Sequence, residues 1–144
     1  MDNVVDKEPE KPRVGLGIMI RRDDSVLLGK RKGSHGEGEW CFPGGHLEFV
    51  ESFMIGVMRE VAEECGVKVK NIQFQCVANI KKYNKHHVLV GFSSDFESGE
   101  AKVLESDKCE KWERFPADNL PEPIFEGSRI ILESYKTGRQ FFDS

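Results

Sequence analysis

Three glutamates close together in the middle of the chain have a spacing that suits metal-dependent chemistry. Glu60, Glu63 and Glu64 lie three and four residues apart, so a helix would carry them on one face. Carboxylates placed in this way repel one another and raise each other's pKa, so a positive partner must offset the cost. A hard divalent cation with oxygen ligands does so, and Mg2+ suits carboxylates that face a phosphate. The cluster therefore predicts a magnesium site for a phosphate-containing substrate.

Arg59 and an upstream glycine pair strengthen this interpretation. Arg59 stands eight residues after Glu51 and four before Glu63, within reach of bidentate contact with a carboxylate. A solvated charged face is the ordinary alternative for such a run of charges. The segment FPGGH at 42–46 favours the metal site, because Pro43 fixes its own φ and the glycines allow a backbone too tight for a Cβ. It could turn a carbonyl oxygen toward a cation, and an ordinary tight turn is the other interpretation.

A helix is predicted to position these charges. Its apolar residues recur at one-, three- and four-residue steps: Phe53, Met54, Val57, Met58 and Val61. Ser52 is a suitable N-cap and Gly66 a suitable C′ residue, so the helix should run from about Ser52 to Cys65.

Strands are predicted on both sides of this helix. They fall at 13–20, 25–29, 40–42, one or two within 67–77, 77–80, 87–92 and 110–115, and a closing helix falls at 124–136. The segments 30–39 and 96–107 are predicted loops, and KKYNK should join 77–80 to 87–92 as a hairpin. Strands around one central helix, with a terminal helix, indicate an α/β protein with a mixed sheet between helices.

Length and composition set the class of protein. With 144 residues, 38% of them hydrophobic and 32% charged, the chain should form one soluble globular domain. We expect residues 1–12 to be a flexible lead-in without a signal peptide, and 13–144 to form the domain. A net charge of −4 argues against a nucleic-acid polymer as partner, and no apolar run approaches the roughly 18 residues of a membrane span.

The four cysteines, Cys41, Cys65, Cys76 and Cys109, form no CxxC pair. Their spacing suits no zinc site and indicates reduced thiols in a cytoplasmic protein.

The motif as a whole resembles the signature of the Nudix (MutT) hydrolases. The matching positions are Gly45, Glu51, Arg59, Glu60, Glu63, Glu64 and Gly66. The resemblance implies an α/β/α sandwich with the motif as loop–helix–loop, and hydrolysis of a nucleoside diphosphate linked to another group in the presence of Mg2+ or Mn2+.

The resemblance also assigns roles within the motif. The metal ligands would be the Gly44 carbonyl and the carboxylates of Glu60, Glu63 and Glu64. Glu60 would serve as ligand or as base for water, and Arg59 would orient Glu60 or Glu63. Glu51 would brace the motif. A later acidic residue is expected to join them, with Glu105 as first candidate and Asp107 as second.

The segments VLLGKRKGS, FPGGHLEF and KCEKWERFPADNLP extend the likeness over about 13–127. They resemble the MutT-type nucleoside triphosphate diphosphatases of animals and plants, which convert (d)NTPs, some of them oxidised, to the monophosphate and pyrophosphate. The substrate contacts implied are phosphate at Arg31 and a base pocket lined by Phe42, Leu47, Phe125 and Gly127. Gly45 and His46 lie beside the metal loop and are further substrate-binding candidates, with a surface histidine as the other interpretation of His46. Two positions depart from those relatives, since Val50 replaces a frequent Gly and Glu126 a frequent Trp.

The first functional hypothesis is therefore a metal-dependent hydrolase of nucleoside triphosphates, with a small nucleotide as its partner. A hydrolase of nucleotide sugars, ADP-ribose or dinucleotides is the alternative, and an inactive Nudix fold used for binding is the third. A homodimer is left open. His35 and the pair His86–His87 are expected to be solvated or edge-strand residues, and Trp40 and Trp112 to be core residues.

Overall fold

The computed structural model describes residues 10–143. Most of the lead-in predicted at 1–12 lies outside the described residues. The strands are β1 (Arg13–Arg22), β2 (Ser25–Arg31), β3 (Trp40–Cys41), β4 (Gly44–His46), β5 (Lys68–Ile80), β6 (His87–Ser98), β7 (Cys109–Pro116) and β8 (Phe141–Asp143). The helices are α1 (Phe53–Glu64) and α2 (Glu126–Thr137). In the described part of the chain, neither helix is long and apolar enough to cross a membrane.

The described strands form one mixed sheet in which β1 is central. β1 runs parallel to β6 along one edge, and β5 continues the sheet to β8. Along its other edge, β1 pairs with β4 at Gly15–Gly17 and with β2 only at Arg21–Arg22. β1 and β2 are therefore unpaired along most of their length, and β4 pairs with β1 in the space between them. The predicted mixed sheet between two helices is confirmed.

Helix α1 covers one face of the sheet. Its N-cap is Ser52, whose hydroxyl accepts a hydrogen bond from the Ile55 N–H at 3.2 Å. Gly66 follows the helix with a φ of +77°, in the left-handed region that glycine adopts without strain. Val57 and Val61 are fully buried against β1 and β6 residues that include Ile18 and Phe92. The predicted helix and both of its end signals are confirmed.

Helix α2 covers the other face of the sheet and approaches it closely. Gly17 of β1 and Gly91 of β6 are paired neighbours, and Ile131 lies over both. A Cβ on Gly17 would come within 2.6 Å of the Ile131 side chain, so larger residues there would push the helix away. Two buried clusters, one under each helix, thus share the central strands.

The structure corrects several predicted boundaries. The strands predicted within 67–77 and at 77–80 form one long strand, β5 (Lys68–Ile80), which carries register shifts. Strand β6 continues to Ser98 because Phe96 and Ser98 pair with the start of β5, so the loop predicted from Phe96 begins later. Strand β8 was not predicted, and α2 begins at Glu126, two residues later than expected. The glycines of FPGGH form strand β4 and not a tight turn.

Candidate active site

A cleft of about 840 Å³ opens beside the acidic face of α1. Its walls also include β4, the loop that follows β2, the β5–β6 turn and the start of α2. Every residue predicted for the site lines it: Arg31, Phe42, Gly44, Gly45, His46, Leu47, Arg59, Glu60, Glu63, Glu64, Glu105, Phe125 and Gly127. The cleft has an acidic end at α1 and an aromatic end at Phe125.

Arg59 binds the carboxylates at the acidic end. Its guanidinium makes the predicted bidentate contact with Glu51, with Nε to Oε2 at 2.5 Å and Nη2 to Oε1 at 2.9 Å. Nη1 donates to Glu60 Oε1 at 2.7 Å and to Glu63 Oε2 at 3.2 Å. Nη2 also donates to the carbonyl of His46 at 3.0 Å, which ties β4 to the helix. One side chain therefore fixes three carboxylates and the strand opposite them.

These contacts change the acidity of both partners in the Arg59–Glu51 pair. Hydrogen bonds from Arg59, and one from the Glu48 N–H, lower the pKa of Glu51 to about 2. The same contact raises the pKa of Arg59. Glu51 is therefore an ionised anchor for the arginine, which matches the bracing role expected of it.

Glu60 and Glu64 have the opposite environment. Burial raises the pKa of Glu60, and this effect outweighs the hydrogen bond from Arg59. Burial and then the charge of Glu60 raise the pKa of Glu64 to about 8, although a backbone hydrogen bond from Gly44 opposes the shift. Two buried carboxylates that disfavour each other's ionisation are the arrangement that the sequence predicted for this face of the helix.

The glycine pair makes room for these side chains. A Cβ on Gly45 would stand 2.2 Å from Glu60 Oε2, and a Cβ on Gly44 would stand 2.1 Å from the carbonyl oxygen of Leu16. Neither position tolerates a side chain without movement of β4 or α1. The predicted reason for the glycines, a backbone too close for a Cβ, is therefore confirmed.

The donor set at this end fits a hard divalent cation. It consists of carboxylate oxygens, which are the ligands that Mg2+ and Mn2+ prefer. Because these carboxylates are partly buried and repel one another, a bound cation would stabilise their ionised forms. Within residues 10–143, no three acidic, histidine or cysteine side chains already stand together at metal-binding positions. Arg59 donates to two of the three glutamates, so their carboxylates are directed toward it.

Two later residues complete the acidic end. Glu105 lines the cleft, and its negative charge contributes to the raised pKa of both Glu60 and Glu64. Asp107 is not part of the cleft wall, so the geometry favours the first of the two candidates. Trp112 of β7 donates its indole N–H to the Glu64 carbonyl at 3.2 Å and thereby holds the last turn of α1.

The aromatic end is built around Phe125. Its ring stacks with that of Tyr83 at 4.9 Å between centroids and 10° between planes. The Arg31 guanidinium lies 4.0 Å from the same centroid, a cation–π distance. The backbone N–H of Phe125 donates to the Trp40 carbonyl at 2.8 Å, which fixes the position of the ring. Phe125 is therefore part of an aromatic and cationic stack.

The histidines of the cleft were not predicted as a group. His46 and His87 stack with 8° between planes, and their Nε2 atoms are 3.2 Å apart. His35 and His87 line the cleft and are half-buried, whereas His86 is exposed, as expected of a solvated residue. Burial lowers the pKa of all three cleft histidines, that of His46 to about 4, so they are neutral near pH 7. No local sequence pattern predicts that these three histidines lie together, because they come from three separate segments of the chain.

Phe42 lines the cleft from within the hydrophobic core. Phe42 is 5% exposed and belongs to the core under α2, with its N–H bonded to Ser128 Oγ at 2.8 Å.

The four cysteines are free and buried, in agreement with the thiols predicted. Burial raises the pKa of Cys41 to about 12 and that of Cys65 to about 11, so neither is suited to act as a nucleophile.

Comparison with known proteins agrees with this geometry. The NUDIX domain family profile matches residues 11–135. An ADP-ribose pyrophosphatase of Methanocaldococcus jannaschii is 32% identical over 124 residues, which are 85% of this chain and 72% of that protein. The NAD-capped RNA hydrolase NudC of Shigella dysenteriae is 34% identical over 105 residues, 72% of this chain. This chain covers 39% of the length of NudC.

Two similar solved structures are also Nudix hydrolases. A MutT NUDIX hydrolase from Burkholderia pseudomallei superposes with a TM-score of 0.82 at 38% identity, covering 87% of this chain and 98% of that one. A NUDIX hydrolase from Nitrosomonas europaea, at 20% identity and a TM-score of 0.77 over 95% of this chain and 81% of that one, shares the fold. These relatives are bacterial and archaeal, so they support the family and not the animal and plant branch in particular. With its profile matched over nearly the whole chain, the protein belongs to the Nudix hydrolase family.

Proposed function

We propose that this protein hydrolyses the pyrophosphate linkage of a nucleoside diphosphate joined to another group, with ADP-ribose and dinucleotides as the favoured substrates. The observation that carries the proposal is a single cleft with clustered, partly buried carboxylates at one end and an aromatic and cationic stack at the other. The acidic end suits the phosphates together with a cation, and the aromatic end suits a base or a second planar group.

The carboxylates of Glu60, Glu63, Glu64 and Glu105 are the proposed metal ligands, with the Gly44 carbonyl beside them. When bound, Mg2+ or Mn2+ would supply positive charge to the phosphate oxygens and make a bound water more acidic. Arg59 would keep Glu60 and Glu63 oriented, as its hydrogen bonds to both already do.

Proton transfer is assigned to Glu60. This role is the alternative to metal ligation for Glu60, and burial raises its pKa above the usual value, so it accepts a proton more readily than an exposed glutamate. Glu60 lies between the Arg59 guanidinium and Gly45, so its carboxylate cannot swing away from the cleft. It is therefore positioned to accept a proton from water that attacks a phosphorus atom.

Substrate contacts are assigned along the rest of the cleft. Arg31 and His46 would donate to phosphate oxygens, and Gly45 would leave room for them. Leu47, Phe125 and Gly127 would border the base. Phe42 would support the wall from the core, in keeping with its low exposure.

The choice of substrate class departs from our first hypothesis, which was nucleoside triphosphate hydrolysis. The M. jannaschii relative that spans most of this chain is an ADP-ribose pyrophosphatase, and this favours the alternative. The position at which triphosphate-hydrolysing relatives often carry a tryptophan holds Glu126, which is ion-paired with Lys82 at 3.6 Å and with Arg129. A ring that could stack on a base is thus replaced by a charged side chain that is already ion-paired with two neighbouring residues.

The test is product analysis with a panel of substrates in Mg2+. It compares ADP-ribose, NADH, diadenosine polyphosphates, an NAD-capped RNA oligonucleotide, GDP-mannose, the (d)NTPs and 8-oxo-dGTP. Wild type runs beside Glu63→Gln, which removes a proposed ligand, and beside Glu113→Gln. The last is a matched control, since Glu113 is half-exposed on β7 and outside the cleft wall.

We expect AMP and ribose 5-phosphate from ADP-ribose in wild type and in Glu113→Gln, with turnover reduced by orders of magnitude in Glu63→Gln. Pyrophosphate from triphosphates, without cleavage of ADP-ribose, would overturn the substrate class and restore the first hypothesis. No metal-dependent product from any compound would support a binding role for this fold.

A further inference from the structure

The outward face of α1 and the loop before it carry an unusual amount of apolar surface. The side chains concerned, here called the α1 patch, are Phe49, Val50, Phe53, Met54, Ile55 and Met58. They make up half of the twelve large hydrophobic residues that are exposed in the described part of the chain, although they span only ten positions. Exposed apolar residues scattered singly need no explanation, but a concentration of this kind does.

The outer face of α1 lacks the charges that a surface helix normally shows. The first six residues of the helix, Phe53 to Met58, include no polar side chain. Val57 is fully buried and faces the core, whereas Ile55 and Met58, turned about 160° and 100° away from it around the helix, are 56% and 46% exposed. Ala62 is also exposed and continues the stripe by one turn, at four residues beyond Met58. A helix that is apolar on both faces is normally covered on both.

The patch extends onto the sheet. Phe53 lies 6.0 Å from the buried Phe92 ring, measured between centroids, and Phe74 of β5 lies 6.5 Å from the same ring. Phe74 is itself 49% exposed. Phe49, at 98% exposed, and Val50, at 85%, continue the apolar surface at the other end.

The size of this surface matches a stable protein interface. At roughly 200 Å² for a fully exposed side chain of this size, the exposed fractions of the patch and Phe74 amount to roughly 800 Å². A standard interface buries about 800 Å² on each partner. The charged residues beside the patch, Glu48 and Glu51, are both ion-paired with Arg59, so two copies could meet here without bringing unpaired like charges together, despite a net charge of −4 on each chain.

We propose that the α1 patch binds the same patch of a second copy of this chain, in a two-fold symmetric contact centred on α1. In such a contact the same surface of both copies is buried, so the apolar patch of one copy covers the apolar patch of the other. The proposal does not rest on the hydrolytic activity. It places the helix that carries Glu60 and Glu63 at the centre of a homodimer, and Phe49 links the contact to the rim of the cleft.

Analytical ultracentrifugation of the full chain, from about 1 to 100 µM, tests this proposal. Wild type should sediment at about twice the 16.4 kDa chain mass. Ile55→Glu and Met58→Glu should sediment as monomers. Leu104→Glu is the matched control, because Leu104 is 53% exposed but lies outside the patch, and it should remain dimeric. Far-UV circular dichroism checks that each variant is folded.

A second measurement locates the contact without depending on a destabilised variant. Met58→Cys should form a covalent dimer with a short bismaleimide, and Leu104→Cys should not. The native cysteines are all buried and supply a low background. A wild type that is monomeric at 100 µM would refute the proposal, as would a dimer that survives in both glutamate variants or that Met58→Cys fails to cross-link.

Discussion

Replacing Glu64 by Gln should stabilise the protein at alkaline pH and leave it nearly unchanged at acid pH. The pKa of Glu64 is about 8 in the folded chain, against a usual value of 4.5, because the side chain is buried and lies near Glu60. Between these two values the folded chain keeps a proton that the unfolded chain releases. Stability from this group is therefore fully present below about pH 4.5 and is lost as the pH rises toward 8.

The magnitude follows from the size of the shift. A difference of this size corresponds to about 5 kcal/mol at 1.36 kcal/mol per pH unit. We expect about 3 kcal/mol, because the carboxylates can separate or admit water when both ionise. For a chain of this length that is a rise of about 10 °C in Tm at pH 8. Glutamine mimics the protonated carboxyl group and carries no such penalty.

Urea unfolding in EDTA at pH 5, 6, 7 and 8 measures the effect for wild type and Glu64→Gln. The difference in the free energy of unfolding should grow steadily with pH. Glu113→Gln makes the same side-chain substitution at a half-exposed site, and its difference should stay within about 0.5 kcal/mol. A constant difference between wild type and Glu64→Gln across this range would refute the buried, repulsive environment assigned to Glu64.

Three further perturbations test other parts of the site. Gly45→Ala should abolish hydrolysis while the chain stays folded, because the new Cβ would stand 2.2 Å from Glu60 Oε2, and steady-state kinetics with circular dichroism checks this. Val50→Gly should raise Tm by about 2–4 °C in a thermal melt, because the φ of +64° at Val50 costs an L-residue about 1–2 kcal/mol and the freedom of an unfolded glycine offsets about 0.5–1 kcal/mol of that gain. Glu51→Gln should remove part of the acid transition, because the low pKa of Glu51 beside Arg59 gives stability that is lost as the pH falls from about 4.5 to 2.

Each of these has a control or a contrary result. Gly15→Ala is the control for Gly45→Ala, since the atom nearest to its Cβ would be 4.0 Å away, and full activity of Gly45→Ala would contradict the close approach. A lower Tm for Val50→Gly would show that the greater freedom of glycine in the unfolded chain outweighs the relief of backbone strain at this exposed position. An unchanged acid transition in Glu51→Gln would mean that other carboxylates control acid unfolding.

Helix α1 and its charges could be predicted from the sequence because all the signals are local. The apolar spacing, the Ser52 cap and Gly66 lie within fifteen residues of one another, and a helix fixes the relative position of side chains three and four apart. The contact of Arg59 with Glu51 follows from the same short range. The positive φ of Val50 agrees with the departure noted at this position, where the resemblance led us to expect a glycine.

The remainder of the site depends on pairing between distant strands. His46 meets His87 because β4 pairs with β1 at Gly15, and β1 pairs in parallel with β6, which begins at His87. A parallel register between strands so far apart leaves no local pattern. Strand β8 has only three residues and gains its order by adding to β5, so its periodicity is too short to be recognised.

The hydroxyl group of Tyr83 has a consequence for how the cleft can open. It donates to Glu39 Oε1 at 2.7 Å and accepts the backbone N–H of Glu126 at 3.0 Å. A single oxygen atom thus fastens the β5–β6 turn to the loop after β2 and to the first residue of α2. Displacement of the turn therefore breaks both contacts together, whereas displacement of either other wall breaks one. The turn is thus the wall whose position depends on the other two, and its hydrogen bonds hold the width of the cleft beside Phe125.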